Sequence, residues 1–405
     1  MNPLDASRPD VRVEFGMAEA EFAQRAQWQA SAYVLRAIDE TLRETEAHPQ
    51  AMLEESSFRG RDAVELAARA ATSDLAVRLS LAESTVRAHA HTARMLRERT
   101  PSVWAWFCEG DISTANAHET AALATELPAE VWAAFDVAVL DAAKSLAPAR
   151  FRSTARALRE RLHTEALVER RERAIATRVV YTEVDRDGMG WLHAKLPVET
   201  LAKVTARLDA DAFALFRADD EIRTMHQLRA DVLDDLLVGS GTGSRVGVTV
   251  ALTVPVLSLL GASDEPATLE GVGPIDLETA RRLAAEAPSF TRLLTDPISG
   301  GILDMDARQY RPTAALKRWL AVRDVTCTFP GCGRRASACD LDHITAWAEG
   351  GRTRADNLAH LCRSHHTLKH ETKWRVERTR AGDTAVGSTW TSPTRHTRAA
   401  DPPPF

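Results

Sequence analysis

Residues 327–373 bring together the side-chain types that bind metal ions and move protons. Four of the chain's five cysteines lie in this stretch, at Cys327, Cys332, Cys339 and Cys362. They are interleaved with Asp342-His343, with an asparagine at Asn357, and with the run Cys362-Arg-Ser-His365-His366-Thr-Leu-Lys369-His370. So dense a group of potential ligands is not expected from composition alone, and it makes this segment the best candidate for a chemical site.

The cysteine spacing predicts a structural zinc site. Cys327 and Cys332 flank a tight turn at Pro330-Gly331, and Cys362 and His365 lie three residues apart on a predicted helix, so both point to one side. Two ligands from a turn and two from a helix make a closed tetrahedral Cys3His site. The alternative is four buried residues without a metal. Clustered cysteines also favour zinc in a reducing cytoplasm over a disulfide framework.

The other two cysteines are not expected to be ligands. Cys339 stands beside Asp340 and is predicted to be a core or spare thiol. Cys108 follows the aromatic segment Trp104-Ala-Trp106-Phe107 and is predicted to be buried.

The remaining residues of the stretch fit phosphodiester hydrolysis. His343 has the near-neutral pKa that a general base needs to take a proton from water. Asp342 and His366 can hold a divalent cation, Mg²⁺ or Mn²⁺, with open positions, and His370 is a further candidate ligand on the same helix face as His366. Asn357 can hold the base in one orientation. The alternative is a surface turn with solvated histidines.

Charge is unevenly distributed along the chain. Residues 311–380 carry 14 Lys and Arg against 7 Asp and Glu, whereas residues 1–310 carry 35 against 48. A basic C-terminal module on an acidic body predicts that a polyanion, if one binds, docks at the C-terminus. The candidates for contacts with backbone phosphates are Arg334, Arg335, Arg352, Arg354, Arg363, Lys369 and Lys373.

The body is predicted to be mainly helical. Phe22, Ala26, Ala30, Val34, Ile38 and Leu42 recur every four residues and predict a long amphipathic helix over 17–46. Helices are then predicted over 61–71, 73–80, 84–99, 103–109, 113–127, 128–146, 148–173, 198–216, 225–237 and 277–286. Strands are predicted over 178–184 and 189–196 as a hairpin, and over 245–253 and 302–310.

The expected domain organisation has four parts. Residues 1–16 are predicted to be a disordered start, 17–310 a mostly helical domain with the hairpin near 178–196, 311–380 a compact module, and 381–405 a disordered polar tail. The start lacks a basic and apolar leader, and the longest apolar run, 246–260, is too short and too interrupted to span a bilayer.

Residues 327–370 resemble an HNH endonuclease domain with a zinc-binding ββα-metal core. The resemblance rests on the ordered elements quoted above, with the Gly350-Gly351 loop between the first histidine and the asparagine. It implies that His343 is the first histidine of the motif, that Asp342 is the preceding metal ligand, and that Asn357 and His366 complete the set. His365 stands where this family often has a cysteine.

Residues 20–320 resemble the actinobacterial helical domain of unknown function 222, which precedes HNH modules in "13E12 repeat" proteins. The matching stretches include Gly110-Asp-Ile-Ser113, Arg223-Thr-Met-His-Gln-Leu-Arg-Ala-Asp231 and Asp296-Pro-Ile-Ser-Gly300. This resemblance implies a recurrent architecture, mainly α followed by a small ββα-metal module, and assigns no chemistry to the helical part.

Three functional hypotheses remain at this point. The first is a metal-dependent endonuclease acting on double-stranded DNA. The second is a zinc-stabilised nucleic-acid-binding protein associated with mobile elements and without hydrolysis, and the third is a helical protein with a protein partner and a vestigial nuclease module. A homodimer through the helical domain is a further expectation. Residues 73–80 and 84–89 have the rhythm of a helix–turn–helix, but an ordinary helical hairpin is the favoured interpretation.

Overall fold

A computed structural model of the chain describes residues 9–54, 60–163, 167–185, 188–217, 221–237, 252–253, 258, 263–264, 266–269, 273–285, 312–381 and 385–401. The chain forms two compact units. The first contains residues 1–164 and 291–405, and the second contains residues 165–290. The first unit therefore joins the N-terminal helices to the C-terminal module, a division that differs from the single 17–310 domain predicted from the sequence.

The N-terminal part of the first unit is helical. Its helices are α1 Pro9–Ala47, α2 Arg61–Leu79, α3 Glu83–Arg99, α4 Pro101–Cys108, α5 Thr114–Thr125, α6 Trp132–Ser145 and α7 Pro148–Leu162. Their packed core includes Leu96, Phe107, Ile112, Phe135 and Phe151, all fully buried. The prediction of a mainly helical N-terminal region is confirmed.

The long first helix exists, but its buried face differs from the predicted one. α1 begins at Pro9, earlier than expected, and it buries Leu35, Ile38 and Leu42, while Phe22 remains 76% exposed. A residue repeated every fourth position advances about 400° round a helix and so drifts by about 40° per step. Residues 12–27 of α1 are exposed on every face of the helix, and the first buried residue of α1 is Ala32. The early members of the series, such as Phe22, are therefore exposed because this end of the helix buries no residue.

The predicted helix–turn–helix segment is a helical hairpin. α2 ends at Leu79, its C-cap Ser80 has a left-handed backbone (φ 54°), and α3 starts at Glu83. Val86 and Ala90 of α3 are buried in one apolar cluster with α2 residues and with residues of the C-terminal module. Because the start of α3 is packed inside the first unit, the structure favours the hairpin over a recognition helix.

The second unit mixes helices and short strands. It contains α8 Leu167–Ala176, β1 Val179–Val184, β2 Gly190–Lys195, α9 Val198–Phe216, α10 Met225–Leu237, β3 Leu252–Thr253, β4 Ala267–Leu269, β5 Gly273–Ile275 and α11 Leu277–Ala285. The predicted hairpin is present, with Val179 opposite Lys195. The predicted strand over 302–310 lies outside the described residues, as does most of the strand over 245–253.

The C-terminal module has the expected ββα order. After α12 (Ala314–Asp324) come β6 (Asp340–His343) and β7 (Leu358–Leu361), which pair antiparallel, and then α13 (Arg363–Glu371). The predicted fold class, a mainly helical region followed by a small β/α module, is therefore confirmed.

The predicted disordered tail is wrong for residues 385–401. β8 (Arg375–Ala381), β9 (Ala385–Thr391) and β10 (Thr397–Ala399) form an antiparallel sheet in the order β10-β9-β8. Trp390 on β9 is 1% exposed, and its ring meets Phe329 and Trp374 edge-on, with centroid distances of 5.0 and 6.3 Å. Polar composition hid this sheet, because one large aromatic residue supplies much of its apolar anchoring.

We expect Trp390→Ala to lower the free energy of unfolding of the first unit by about 3–5 kcal/mol, since it empties a fully buried aromatic site. Trp106→Ala is the matched control, because Trp106 is 39% exposed and its main contact is the Lys144 ammonium over the ring. The control should cost no more than about 1 kcal/mol. Urea unfolding followed by circular dichroism measures both. Equal losses in the two variants would contradict the anchoring role of Trp390.

Candidate active site and metal centre

The β6–β7 hairpin and α13 position the predicted catalytic residues Asp342, His343 and His366. In the hairpin register Asp342 faces Ala359 and His343 faces Leu358. Arg323 of α12 donates hydrogen bonds to the carbonyls of Ala355 (2.5 Å) and Leu358 (2.7 Å), and so fixes the start of β7. The hairpin therefore has support on the side of α12 as well as from α13.

A turn and a helix start bring three sulfurs and one imidazole together. Cys327, Cys332, Cys362 and His365 each offer one ligand atom, and these atoms lie within 4.8 Å of one another. The sequence predicted Cys362 within the helix, but in the structure it is the N-cap that precedes α13. His365 lies in the first turn of α13, and its ring stacks on Phe329 with a centroid distance of 3.9 Å.

The donor geometry and chemistry fit a zinc ion. His365 Nδ1 lies 3.4 Å from Cys327 Sγ and 3.3 Å from Cys362 Sγ. Tetrahedral Zn²⁺ with ordinary bond lengths would place a nitrogen and a sulfur ligand about 3.5 Å apart. The Cys3His cluster is thus consistent with structural zinc.

The electrostatics of the cluster point the same way. Hydrogen bonds with Cys327 and Cys332 lower the pKa of the Cys362 thiol. Burial by itself would lower the pKa of His365, but hydrogen bonds with the surrounding sulfurs and with Glu83 raise it to about 11. Hydrogen bonds with Cys332 and Cys362 raise the pKa of the Cys327 thiol, so the four groups share protons that a bound zinc ion would displace.

Cys339 is not one of the four ligand residues, although its side chain also forms a hydrogen bond with Cys327. Its thiol donates to the backbone carbonyl of Arg335, with a distance of 3.2 Å. Cys339 and Cys108 are both partly buried thiols.

A second cluster lies on a different face of α13, about 100° round the helix from His365. One ligand atom each from Asp342, His366 and His370 fall within 4.8 Å of one another. Asp342 Oδ1 is 3.6 Å from His366 Nε2, and Asp342 Oδ2 is 3.3 Å from His370 Nε2. His366 follows His365 by about 100° of helix rotation, and His370 returns to its face one turn later. One short helix therefore presents two different ligand sets.

Lys369 lies within this second cluster. Its ammonium nitrogen is 2.6 Å from Asp342 Oδ2, it also donates to the backbone carbonyl of His343, and its side chain is only 10% exposed. Burial by itself would raise the pKa of Asp342, but the Lys369 ammonium and the two histidines keep that pKa below its usual value. Asp342 is therefore an ionised carboxylate at neutral pH.

His343 is buried beside the cluster and held by a loop residue. Its Nε2 and the hydroxyl of Thr353 form a hydrogen bond of 2.9 Å, and Thr353 is itself fully buried. Burial lowers the pKa of His343, and Lys369 acts in the same direction, whereas Asp342 opposes them. The imidazole is consequently neutral near pH 7, the form in which it can accept a proton.

Asn357 fixes the loop that connects the two strands. Its Oδ1 accepts from Thr345 N (2.9 Å), and its Nδ2 donates to the carbonyls of Thr345 and Arg352 (3.0 Å each). A side chain at Gly351 would collide with this arrangement, because an added Cβ would lie 2.0 Å from Thr345 O and 2.8 Å from Asn357 Nδ2. The loop can therefore close over His343 only with glycine at 351.

The basic residues predicted to contact backbone phosphates fall into two groups, five exposed arginines and two lysines that bind other parts of the protein. Exposed side chains belong to Arg334, Arg335, Arg352, Arg354 and Arg363. Lys369 points into the site, and Lys373 donates to the carbonyls of Gln50 (2.8 Å) and Ala51 (3.3 Å) in the helical part. The arginines thus form the accessible cationic set.

Several contributors to the site were not anticipated from the sequence. Thr353 holds His343, and Glu83 of α3 lies 3.0 Å from Nε2 of His365. Asp324 accepts from the backbone and the Nδ1 of His360, at 3.0 and 2.8 Å, and ties β7 to α12. Glu83 carried no signal because it is 282 residues away from its partner. Asp324 offered a weak signal, as an acidic residue three positions before Cys327.

Comparison with protein families places both parts of the chain. The model described as "Domain of unknown function (DUF222)" matches residues 22–324, and the model described as "HNH endonuclease" matches residues 326–372. The first match covers most of the sequence. The chain belongs to the DUF222 family. This DUF222 protein carries an HNH endonuclease domain directly after its family domain, and that domain contains both ligand clusters.

Curated relatives of this DUF222 protein are mycobacterial. The uncharacterized protein Rv3776 of Mycobacterium tuberculosis is 32% identical over 221 residues, 45% of this chain and 41% of the relative. The uncharacterized protein Rv2100 of the same species is 30% identical over 270 residues, 53% of this chain and 47% of the relative. The match thus spans less than half the length of these two relatives.

A third relative aligns over a longer stretch. The uncharacterized protein Mb1179c of Mycobacterium bovis is 25% identical over 333 residues, 76% of this chain and 72% of the relative. No solved structure matches the chain. Among the described residues, no helix combines the length and apolar character that a membrane span requires.

We expect Gly351→Ala to destabilise the HNH domain by about 1–3 kcal/mol, because the new methyl group forces Thr345 and Asn357 apart. Gly333→Ala is the matched control, since a Cβ there meets no atom within 4 Å. Thermal unfolding of both variants gives the comparison. A Gly351→Ala variant as stable as Gly333→Ala would show that the loop tolerates displacement of the Asn357 amide.

Proposed function

We propose that this DUF222 protein is an HNH-type, divalent-metal-dependent endonuclease that hydrolyses phosphodiester bonds in double-stranded DNA. The observation that carries the proposal is the cluster of Asp342, His366 and His370 next to a buried, neutral His343. A purely structural module needs the sulfur cluster but has no use for a second ligand set on the other face of the same helix.

In this proposal His343 is the general base. It takes a proton from the attacking water, for which its lowered pKa suits it. Thr353 holds the ring through Nε2, and Asn357 holds the loop that carries Thr353. Positioning of this kind confines the base to one orientation before substrate arrives.

Asp342, His366 and His370 would hold a divalent cation, Mg²⁺ or Mn²⁺. When bound, the cation neutralises charge on the scissile phosphate and on the leaving oxygen. The ionised Asp342 supplies the charge, and the two imidazoles complete one side of the coordination shell, leaving the other side to phosphate and water. His370 is thereby proposed as a third metal ligand, in addition to Asp342 and His366.

The exposed arginines can bind the phosphates of DNA without recognising its base sequence. Arg352 and Arg354 lie on the loop over His343, and Arg363 is 85% exposed at the start of α13. Contacts from such side chains to backbone phosphates orient a duplex without recognising its bases. The proposed substrate is therefore DNA bound through its backbone.

The sulfur cluster is proposed to hold a structural Zn²⁺ through Cys327, Cys332, Cys362 and His365. All four positions of a tetrahedral ion would then be filled by protein, which leaves no place for substrate. Such an ion stabilises the turn at 327–332 against the start of α13, and so fixes the helix that bears His366 and His370.

One observation favours a second candidate function, nucleic-acid binding without hydrolysis. Lys369 lies 2.6 Å from Asp342 and neutralises it with a protein ammonium group, so the carboxylate is satisfied without a cation. A protein of this kind would bind DNA in a salt-sensitive manner and cut it with none of the divalent metals. Cleavage assays separate the two functions directly.

We expect the purified chain to contain about one tightly held zinc ion and Cys362→Ser to lose it, because a closed site needs all four ligands. Cys339→Ser is the matched control, since Cys339 bonds to a backbone carbonyl outside the cluster. Elemental analysis after dialysis measures the content. Zinc loss in both variants, or in neither, would contradict the assigned ligand set.

We expect Mg²⁺- or Mn²⁺-dependent nicking of a supercoiled plasmid, with His343→Ala slower by about 10²–10⁴-fold, the usual contribution of a general base. His48→Ala is the control, because His48 is 58% exposed on the helical part. Equal rates for His343→Ala and wild type would remove the assigned base. Salt-sensitive binding with no cutting by wild type would favour the second function.

A further inference from the structure

The Cys3His cluster of the HNH domain is contacted by a residue from the helical part of the chain. Glu83 is the first residue of α3, and its side chain is 23% exposed. Its Oε1 lies 3.0 Å from His365 Nε2 and 2.5 Å from the hydroxyl of Ser73 on α2. Both contacts lie within the first unit.

The two nitrogens of His365 face opposite ways. Nδ1 points to Cys327 and Cys362 at 3.4 and 3.3 Å, and Nε2 points to Glu83. A carboxylate only accepts hydrogen bonds, so Nε2 must carry a proton. Once a bound cation displaces the proton from Nδ1, that nitrogen presents its lone pair to the cluster. Stacking of Phe329 against the ring, at an interplanar angle of 11°, keeps the imidazole in this plane.

We propose that Glu83, a residue of the DUF222 domain, is an outer-shell partner of the zinc site and fixes His365 as an Nδ1 ligand. A carboxylate behind a metal-bound imidazole sets its tautomer and makes it a stronger donor. The helical part would then contribute to metal retention by the HNH domain. The inference rests on the zinc proposed above.

The surrounding packing holds Glu83 at this place. Cys327, Phe329 and Cys362 share one apolar cluster with Leu66 and Val86 of α2 and α3. Further along the chain, Trp374 donates from Nε1 to Ala70 O (3.3 Å), and Lys373 N donates to Met52 O (3.0 Å). The α2–α3 hairpin is thus docked beside the cluster by contacts independent of Glu83.

The experiment measures zinc release from the full-length chain to a chromogenic chelator. We expect Glu83→Ala to weaken zinc retention by about 10–100-fold, the usual cost of losing such a partner. Glu83→Gln keeps the shape and a neutral acceptor, so its loss should be smaller. Glu65→Ala is the matched control, because Glu65 is 72% exposed on α2 and forms its salt bridge with Arg69 of the same helix. This variant should release zinc at the wild-type rate.

A second pair of variants tests whether Glu83 acts through His365. His365→Cys offers a thiolate, which has no N–H for Glu83, in a site that can still bind zinc. In that background Glu83→Ala should no longer weaken retention. The Co²⁺ absorption spectrum should shift with Glu83→Ala when His365 is present and stay unchanged when it is replaced.

The outcomes separate the two proposals. If wild type holds no zinc, the zinc assignment itself fails. If wild type holds zinc and Glu83→Ala releases it at the wild-type rate, the zinc assignment stands and the role of Glu83 is overturned. An equal loss from Glu83→Ala in the His365→Cys background would also overturn that role, because the effect would then come from general destabilisation of the hairpin.

Discussion

The rotation between two consecutive residues of one helix decides the arrangement of this site. His365 and His366 are neighbours in sequence, yet α13 turns about 100° between them, so one imidazole faces three sulfurs and the other faces Asp342. The first set closes on itself, whereas the second has an open side. Any rotation of the helix about its axis would move both sets at once. Zinc bound by the Cys3His cluster would therefore also hold His366 and His370 in their orientation toward Asp342 of β6.

The HNH domain depends on the helical part for its core. Its own elements are short, and a module of that size buries too little apolar surface to be stable alone. The apolar cluster around Phe329 includes residues of α1, α2 and α3 as well as Trp374 and Trp390. The DUF222 residues preceding the domain thus serve as a packing partner of the HNH domain, and unit boundaries do not follow the order of the sequence.

Much of the fold and of the site could be predicted because it rests on local rules. Helical periodicity predicted most helices of the described residues. Ligand spacing predicted the Cys3His set and the pairing of Asp342 with His366. The errors have physical causes. Every-fourth-residue counting placed Phe22 on a buried face of α1, although the N-terminal part of that helix is exposed on every face. Polar composition suggested disorder for residues 385–401, where Trp390 alone provides a large buried anchor.

The sequence by itself determined which side chains are available for chemistry and which of them share a helix face, because both follow from residue type and from the helical repeat. Tertiary structure alone decided which distant groups complete the site. Glu83 reaches His365 across 282 residues, Lys369 turns inward to Asp342, and Arg323 and Asp324 hold β7. Such contacts depend on how separate elements pack, and side-chain spacing along one segment carries no information about them.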